Sequence, residues 1–251
     1  MTRAPLAPYC QDETVTLYHG RFEDVLPELG VAADLILADP PYAETSLPWD
    51  VWPRGWPSTL AGNSRSMWCF GSMRMFLDRR DEFTDWRLSQ DVVWEKHNGS
   101  GIAADRFRRV HEHALHWYRG NWASVYHEPQ TIGDERRPQR INRGATPHLG
   151  ADGQQSKIAG RRIASSVLFA RSMHGIAINE TEKPIGIIEP LIAYGCPPDG
   201  LVLDPFAGSC STLFAARAIG RRAIGIEMRE EQCELAARRL AQGCLNLEDT
   251  S

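Results

Sequence analysis

The chain has 251 residues, 42% of them apolar, and a formal net charge of -4. That length suits one α/β domain with an insertion, and the weak acidity excludes a global basic surface, so any nucleic-acid signal must be local. Six scattered cysteines with no CxxC pair exclude a disulfide framework and a zinc ribbon, and no apolar run is long enough to span a membrane; both point to a reduced, cytoplasmic protein.

In chain order, the residues up to about Asp12 hold two prolines, Pro5 and Pro8, and read as a loose arm. Thr14 to Gly20 alternate and are rich in β-formers, which predicts a strand. Phe22 to Gly30 predict a short helix ended by the glycine. Leu35 to Ala38 are continuously apolar and too few for a helix, so they predict a strand buried on both faces. Asp39-Pro40-Pro41-Tyr42 ends it, because neither proline has an N–H to donate to a ladder. The segment Ala43 to Pro57 holds three prolines and three tryptophans and predicts a loop, with two of the tryptophans packed onto the domain.

Ser66 to Ser72 predict another buried strand, with a helix from about Met73 to Phe83. Arg87 to a loop at Asn98-Gly99, and Glu112 to Gly120, predict two strands with too little between them for a crossover helix, hence an antiparallel pair. Residues 119–174 carry nine Lys or Arg against four acids, a local +5. They predict an inserted DNA-facing region, with Arg136, Arg137, Arg140, Arg143, Arg161 and Arg162 on phosphates and base edges. Thr181 to Gly195 predict a helix in which Pro184 suits the first turn and Pro190 should bend or break the rod. Leu201 to Leu203, the turn Asp204-Pro205-Phe206-Ala207-Gly208-Ser209, and a helix from Ser211 and Thr212 onward form a strand, glycine turn and helix N-terminus. That is the physical pattern of a nucleotide-cofactor pocket. A strand ending at Glu227, 19 positions after Gly208, sets an acid where ribose hydroxyls are accepted in dinucleotide sites. A last helix covers about Glu230 to Gln242.

An acid, a rigid carbonyl and an aromatic ring at the carboxyl edge of a sheet suit a planar amino-bearing base: carboxylate and carbonyl accept from the amino group and the ring stacks. "DPPY" resembles motif IV of the DNA amino-methyltransferases. "DPFAGSCST" resembles their cofactor motif I, "GIEMREEQCELAARRL" their motif II, "TEKPIGIIEPLI" their motif X around Lys183-Pro184, and "VVWEKHN" and "FRRVHEHALHWYR" their central strands. DPPY first, the basic insertion next and the cofactor motif last is the β-class order.

The resemblance implies a circularly permuted, doubly wound, mostly parallel sheet of the class I S-adenosylmethionine-dependent methyltransferase type. Its halves are residues 1–118 and 175–251, around the inserted recognition region 119–174. It implies S-adenosylmethionine as cofactor, held by Asp39, Lys183, Asp204, Pro205, Phe206, Ala207, Gly208, Ser209, Ser211, Thr212 and Glu227. It implies double-stranded DNA as partner, with Asp39, Pro40, Pro41 and Tyr42 catalytic. Adenine N6 is the expected target; cytosine N4, RNA or a protein side chain, and an inactive DNA-binding module are the alternatives. A homodimer and a separate restriction endonuclease are both compatible with it. Cys210 stands where the family usually has glycine, and is expected to be harmless within the first helical turn. His111, His113 and His116 miss the HExxH pattern, since Leu115 holds the second histidine position, so no metal site is expected.

Overall fold

The computed structural model describes residues 6–100, 104–132, 162–171 and 182–248. In chain order its elements are β1 (Cys10–Gln11), β2 (Val15–His19), α1 (Phe22–Leu29), β3 (Leu35–Ala38), α2 (Trp56–Thr59), β4 (Ser66–Gly71), α3 (Met73–Arg79), β5 (Arg87–Ser100) and β6 (Arg109–Tyr118). There follow β7 (Thr131–Ile132), β8 (Arg162–Ile163), β9 (Val167–Phe169), α4 (Ile185–Gly195), β10 (Leu201–Asp204), α5 (Ser211–Ala218), β11 (Arg222–Glu227) and α6 (Glu230–Glu248). Contacts divide the chain into two units, Met1–Glu128 with Ser166–Ser251, and Pro129–Ser165. The smaller unit contains an antiparallel pair, β7 with β8.

The larger unit is built on one sheet in the order β1-β2-β11-β10-β3-β4-β6-β5-β9. The last two strands of the chain thus lie between the second and third. This is the permutation expected from the motif order. β2, β11, β10, β3 and β4 run parallel, and β6 turns antiparallel against β4. β5 and β6 pair antiparallel, as their short connection required, and β9 adds a parallel edge to β5.

The continuous apolar strands are explained by layers on both faces. Leu35 and Leu37 point into one core with Trp68, Phe70, Val202 and the α4 residues Ile187, Ile188, Leu191 and Ile192. Ile36 and Ala38 point into the other, with Phe22, Trp56, Met67, Cys69, Met75 and Leu203. Period-2 alternation therefore places every β3 side chain in a core, and all four are buried.

Four expectations are corrected. The proline-rich arm is not loose at Cys10–Gln11, which pair antiparallel with β2; Asp12 closes the turn by accepting from Thr14 N and Val15 N at 2.7 and 2.8 Å. β5 does not stop at Asn98 but continues to Ser100. Helix α4 runs unbroken through Pro190. That proline sits in the second turn, where it costs only the bond to the Gly186 carbonyl, and the buried Ile and Leu residues around it keep the rod intact.

The fourth is Cys210. It is not in the first helical turn but caps α5 in the left-handed region, φ 62° and ψ 26°. A side chain there costs about 1–2 kcal/mol, which explains why glycine suits the position.

Candidate active site

β3 lies between β10 and β4, so Asp39 emerges at the centre of the sheet's carboxyl edge, beside Asp204 at the end of β10. Open α/β sheets bind ligands at this edge. One cavity of about 450 Å³ opens there, within the usual size of a small-molecule site. Asp39, Pro41, Lys183, the turn Asp204 to Ser209, Ser211, Thr212 and Glu227 all line it.

The Asp39 side is a network of side chains from three distant parts of the chain. Lys183 Nζ donates to Asp39 Oδ1 at 2.8 Å and to Oδ2 at 2.7 Å. Tyr42 Oη lies 2.7 Å from Asp39 Oδ1 and 2.7 Å from Glu112 Oε1. Glu112 on β6 also meets Lys183 at 3.3 Å and Lys96 of β5 at 2.6 Å. Two carboxylates and two ammoniums balance, which buried charge demands. The carboxylates are unequal. Burial resists the charge of Glu112, but Lys183 and Lys96 together hold it down to about 2. Asp39 is pushed up, by burial first and then by Glu112, against the pull of Lys183. It has one ammonium where Glu112 has two, so Asp39 is the carboxyl nearer to titrating. Burial and the two carboxylates push the Tyr42 phenol well above its usual range.

The Asp204 side is local and made mostly of backbone. Gly208 N donates to Glu227 Oε2 at 2.9 Å and Arg229 N to Glu227 Oε1 at 2.8 Å. Phe206 N donates to Asp204 Oδ1 at 3.0 Å. Gly208 has φ 49°, the conformation its turn needs. Gly225 of β11 matters for a different reason: a Cβ there would come within 2.9 Å of Ala207 Cβ and of Leu213 Cδ1, so only glycine lets turn and helix sit this close to the strand. Burial pushes Asp204 up to about 7, even though the Thr212 hydroxyl and Phe206 N–H favour its charged form.

The tryptophan loop closes the cavity on a third side. Trp52 and Trp56 are buried in the core, as expected for two of the three, while Trp49 lines the cavity with the Arg229 guanidinium 4.8 Å from its ring centre. Asp50 holds the loop in shape. Its carboxylate accepts from Ala43 N, Glu44 N and Thr45 N at 2.7–2.9 Å, and from the Thr45 hydroxyl.

The structure thus gathers the sequence-predicted Asp39, Pro41, Tyr42, Lys183, Asp204 to Ser209, Ser211, Thr212 and Glu227 around one edge. Lys183 spends its ammonium on Asp39 and Glu112. Ser211 donates to Glu182, which is buried and also paired with Arg239 at 2.7 Å. Arg136, Arg137, Arg140, Arg143 and Arg161 lie outside the described residues, and Arg162 stands in β8. Sequence reasoning missed Glu112, Lys96 and Asp50. Glu112 carried one signal, an acid on an inward-alternating strand between histidines; Asp50 carried none. Among the described residues, no group of His, Cys, Asp and Glu is arranged to hold a metal, and no helix is long and apolar enough to cross a membrane.

The family model N6_N4_Mtase, described as DNA methylase, matches residues 33–238, from just before β3 into α6. The chain is 25% identical to the type II methyltransferase M.HinfI of Haemophilus influenzae over 70% of this chain and 46% of that one. It is 30% identical to the type II methyltransferase M.ScaI of Streptomyces caespitosus over 61% of this chain and 50% of that one. The chain thus spans about half the length of these curated relatives. The crystal structure of the M1.HpyAVI–SAM complex shares the fold: TM-score 0.63 at 21% identity, over 90% of this chain and 99% of that one. With the family matched across both sides of the cavity and a known fold covering nearly the whole chain, this protein belongs to the N6/N4 DNA methylase family.

Proposed function

We propose that the chain methylates DNA, using S-adenosylmethionine to modify the exocyclic amino group of a flipped base, adenine N6 in preference to cytosine N4. The observation that carries this reading is that Asp39 and the Asp204–Glu227 turn line the same cavity from neighbouring strand ends. The residues fit the cofactor. Gly208 gives the turn its left-handed φ and Gly225 lets that turn sit close against β11, Glu227 presents an acceptor for ribose hydroxyls, and Asp204 offers negative charge to a cation. When bound, S-adenosylmethionine supplies an electrophilic methyl group on a positively charged sulfur.

The remaining work falls to this chain. An amino nitrogen conjugated with a base ring is a poor nucleophile, and hydrogen bonds that hold it pyramidal free its lone pair. A carboxylate has about four acceptor positions. Lys183 and Tyr42 occupy both positions on Asp39 Oδ1 and one on Oδ2. One position on Oδ2 stays open for an N–H of the base, with the Pro40 carbonyl as the second acceptor. Asp39 is also placed to take the proton the nitrogen must release. The two prolines fix these acceptors, and positioning of this kind supplies much of a transfer rate. Lys183 keeps Asp39 charged and aimed, and Tyr42 gives the base a ring to stack on.

The target atom is hidden in a stacked duplex, so the base has to leave the helix. Arg136, Arg137, Arg140, Arg143, Arg161 and Arg162 are proposed to hold the phosphates during that step. The test is transfer of labelled methyl from S-adenosylmethionine to plasmid DNA from a methylation-deficient host. Wild type should label the DNA and Asp39→Ala should not; a wild type that binds the cofactor but labels no DNA rejects the reading.

A further inference from the structure

The hairpin of β5 and β6 is longer than the sheet requires. β6 pairs with β4 from His113, opposite Gly71, to Tyr118, opposite Ser66. The residues before His113 therefore run past the carboxyl end of β4, on the same edge as Asp39. From His113 back to Arg109 is about 14 Å of extended chain, accompanied by β5 out to Ser100. Beyond it stands Asp105-Arg106-Phe107-Arg108-Arg109, every residue exposed. Phe107 has no shelter, with a relative exposure of 101%.

The root of this finger is fastened to the catalytic loop. Arg109 Nη1 meets Glu44 Oε2 at 3.3 Å, two residues beyond Tyr42, and Glu112 Oε1 on the same strand lies 2.7 Å from Tyr42 Oη. Asp105 pairs with Arg106 at 2.6 Å, and the five residues remain net positive with three arginines to one acid. A flat apolar ring between guanidinium groups, on a hairpin that runs past the sheet edge carrying Asp39, matches nucleic acid: arginines suit phosphates, and an apolar side chain can enter a base step.

Resting on the proposal that the chain methylates DNA, we infer that Phe107 is the wedge that enters the duplex and fills the space the flipped base vacates, with Arg106 and Arg108 on the adjoining phosphates. A base leaving the stack loses its neighbours and orphans its partner. An aromatic ring in the gap restores stacking to the bases on either side. The root of the finger is tied to the loop that carries Tyr42, which links the hairpin to the Asp39 side of the pocket.

The experiment uses the full chain and its Phe107→Ala and Phe107→Trp variants. The modified site is first mapped on plasmid DNA labelled by wild type. Two duplexes carrying that site are then compared, one fully paired and one with an abasic position opposite the target base. Phe107→Ala should slow transfer to the paired duplex by about tenfold to a hundredfold, the span of one stacking contact. On the abasic duplex it should come within a few-fold of wild type, because the target is already unpaired, and Phe107→Trp should act like wild type on both. Equal rates for Phe107→Ala and wild type on the paired duplex overturn the wedge. So does equal slowing on both duplexes, which would make the ring a surface contact. Wild type that labels no DNA overturns the methylation reading and the wedge with it, whereas failure of the wedge alone leaves wild-type labelling intact.

Discussion

The two sides of the cavity hold their carboxylates in opposite ways. Asp39 is held by side chains, from Lys183 144 positions away and from Tyr42, and through them by Glu112 on a third segment. Asp204 and Glu227 are held by the backbone of one tight turn, and the farthest of these bonds spans 19 positions. The first side is an ion network whose members set one another's charge. The second is a rigid cradle whose shape depends on glycine. The difference teaches that substitution should disturb charge and rate on the Asp39 side, and affinity or stability on the Asp204 side.

The largest effect is expected at Asp39. Asp39→Ala should lower turnover by about two to three powers of ten, the usual cost of one preorganised contact to a reacting centre, while cofactor binding stays within a few-fold by calorimetry. Asp39→Asn should be nearly as damaging, since the amide accepts less strongly and leaves Lys183 short of its counter-charge. An active Asp39→Ala variant would break the contrast outright.

Next is Glu227→Ala. It should weaken cofactor binding by about tenfold to a hundredfold, as expected for losing hydrogen bonds to a charged acceptor, with the fold intact. Turnover at saturating cofactor should fall far less. Affinity left unchanged would remove Glu227 from the ribose assignment.

Glu112→Gln sharpens the comparison through pH. Burial and Glu112 both raise Asp39, and removing the Glu112 charge leaves Lys183 to Asp39 alone. A folded-state pKa that falls keeps Asp39 ionised to lower pH, so the acid limb of the rate profile should move down. Turnover near neutrality should drop about tenfold, because the neutral amide accepts more weakly and leaves Lys96 without its charged partner. An acid limb that stays in place would show Glu112 to be structural only.

The smallest effect is expected at Cys210. Relief of its left-handed backbone is worth about 1–2 kcal/mol, and loss of its buried thiol costs about as much. Cys210→Gly should therefore shift thermal stability very little, where glycine at an ordinary buried cysteine would clearly destabilise. A large drop in Tm would mean that the thiol's packing outweighs the strain.

The contrast also explains what could be read from sequence. A motif held by neighbouring backbone carries its own geometry, so the strand, turn and strand carrying Asp204, Gly208 and Glu227 were legible from spacing, and the strand before Asp39 from its apolar run; the permuted order of strands came from the family resemblance. A network assembled from segments 70 and 144 positions apart leaves no local pattern, which is why Glu112 was missed and Lys183 was placed on the cofactor and not on Asp39. Pro190 misled because helix propensity is local and the packing that overrides it is tertiary. Cys210 misled because the φ of a capping residue depends on how closely the turn approaches β11.

The central claim is that Asp39 presents an amino group of DNA to a bound methyl donor. Mass spectrometry of nucleosides from DNA incubated with the protein and S-adenosylmethionine tests it most directly. Wild type should yield N6-methyladenine and Asp39→Ala none. N4-methylcytosine in its place would overturn the choice of base, and equal amounts of either product from both proteins would contradict the role of Asp39.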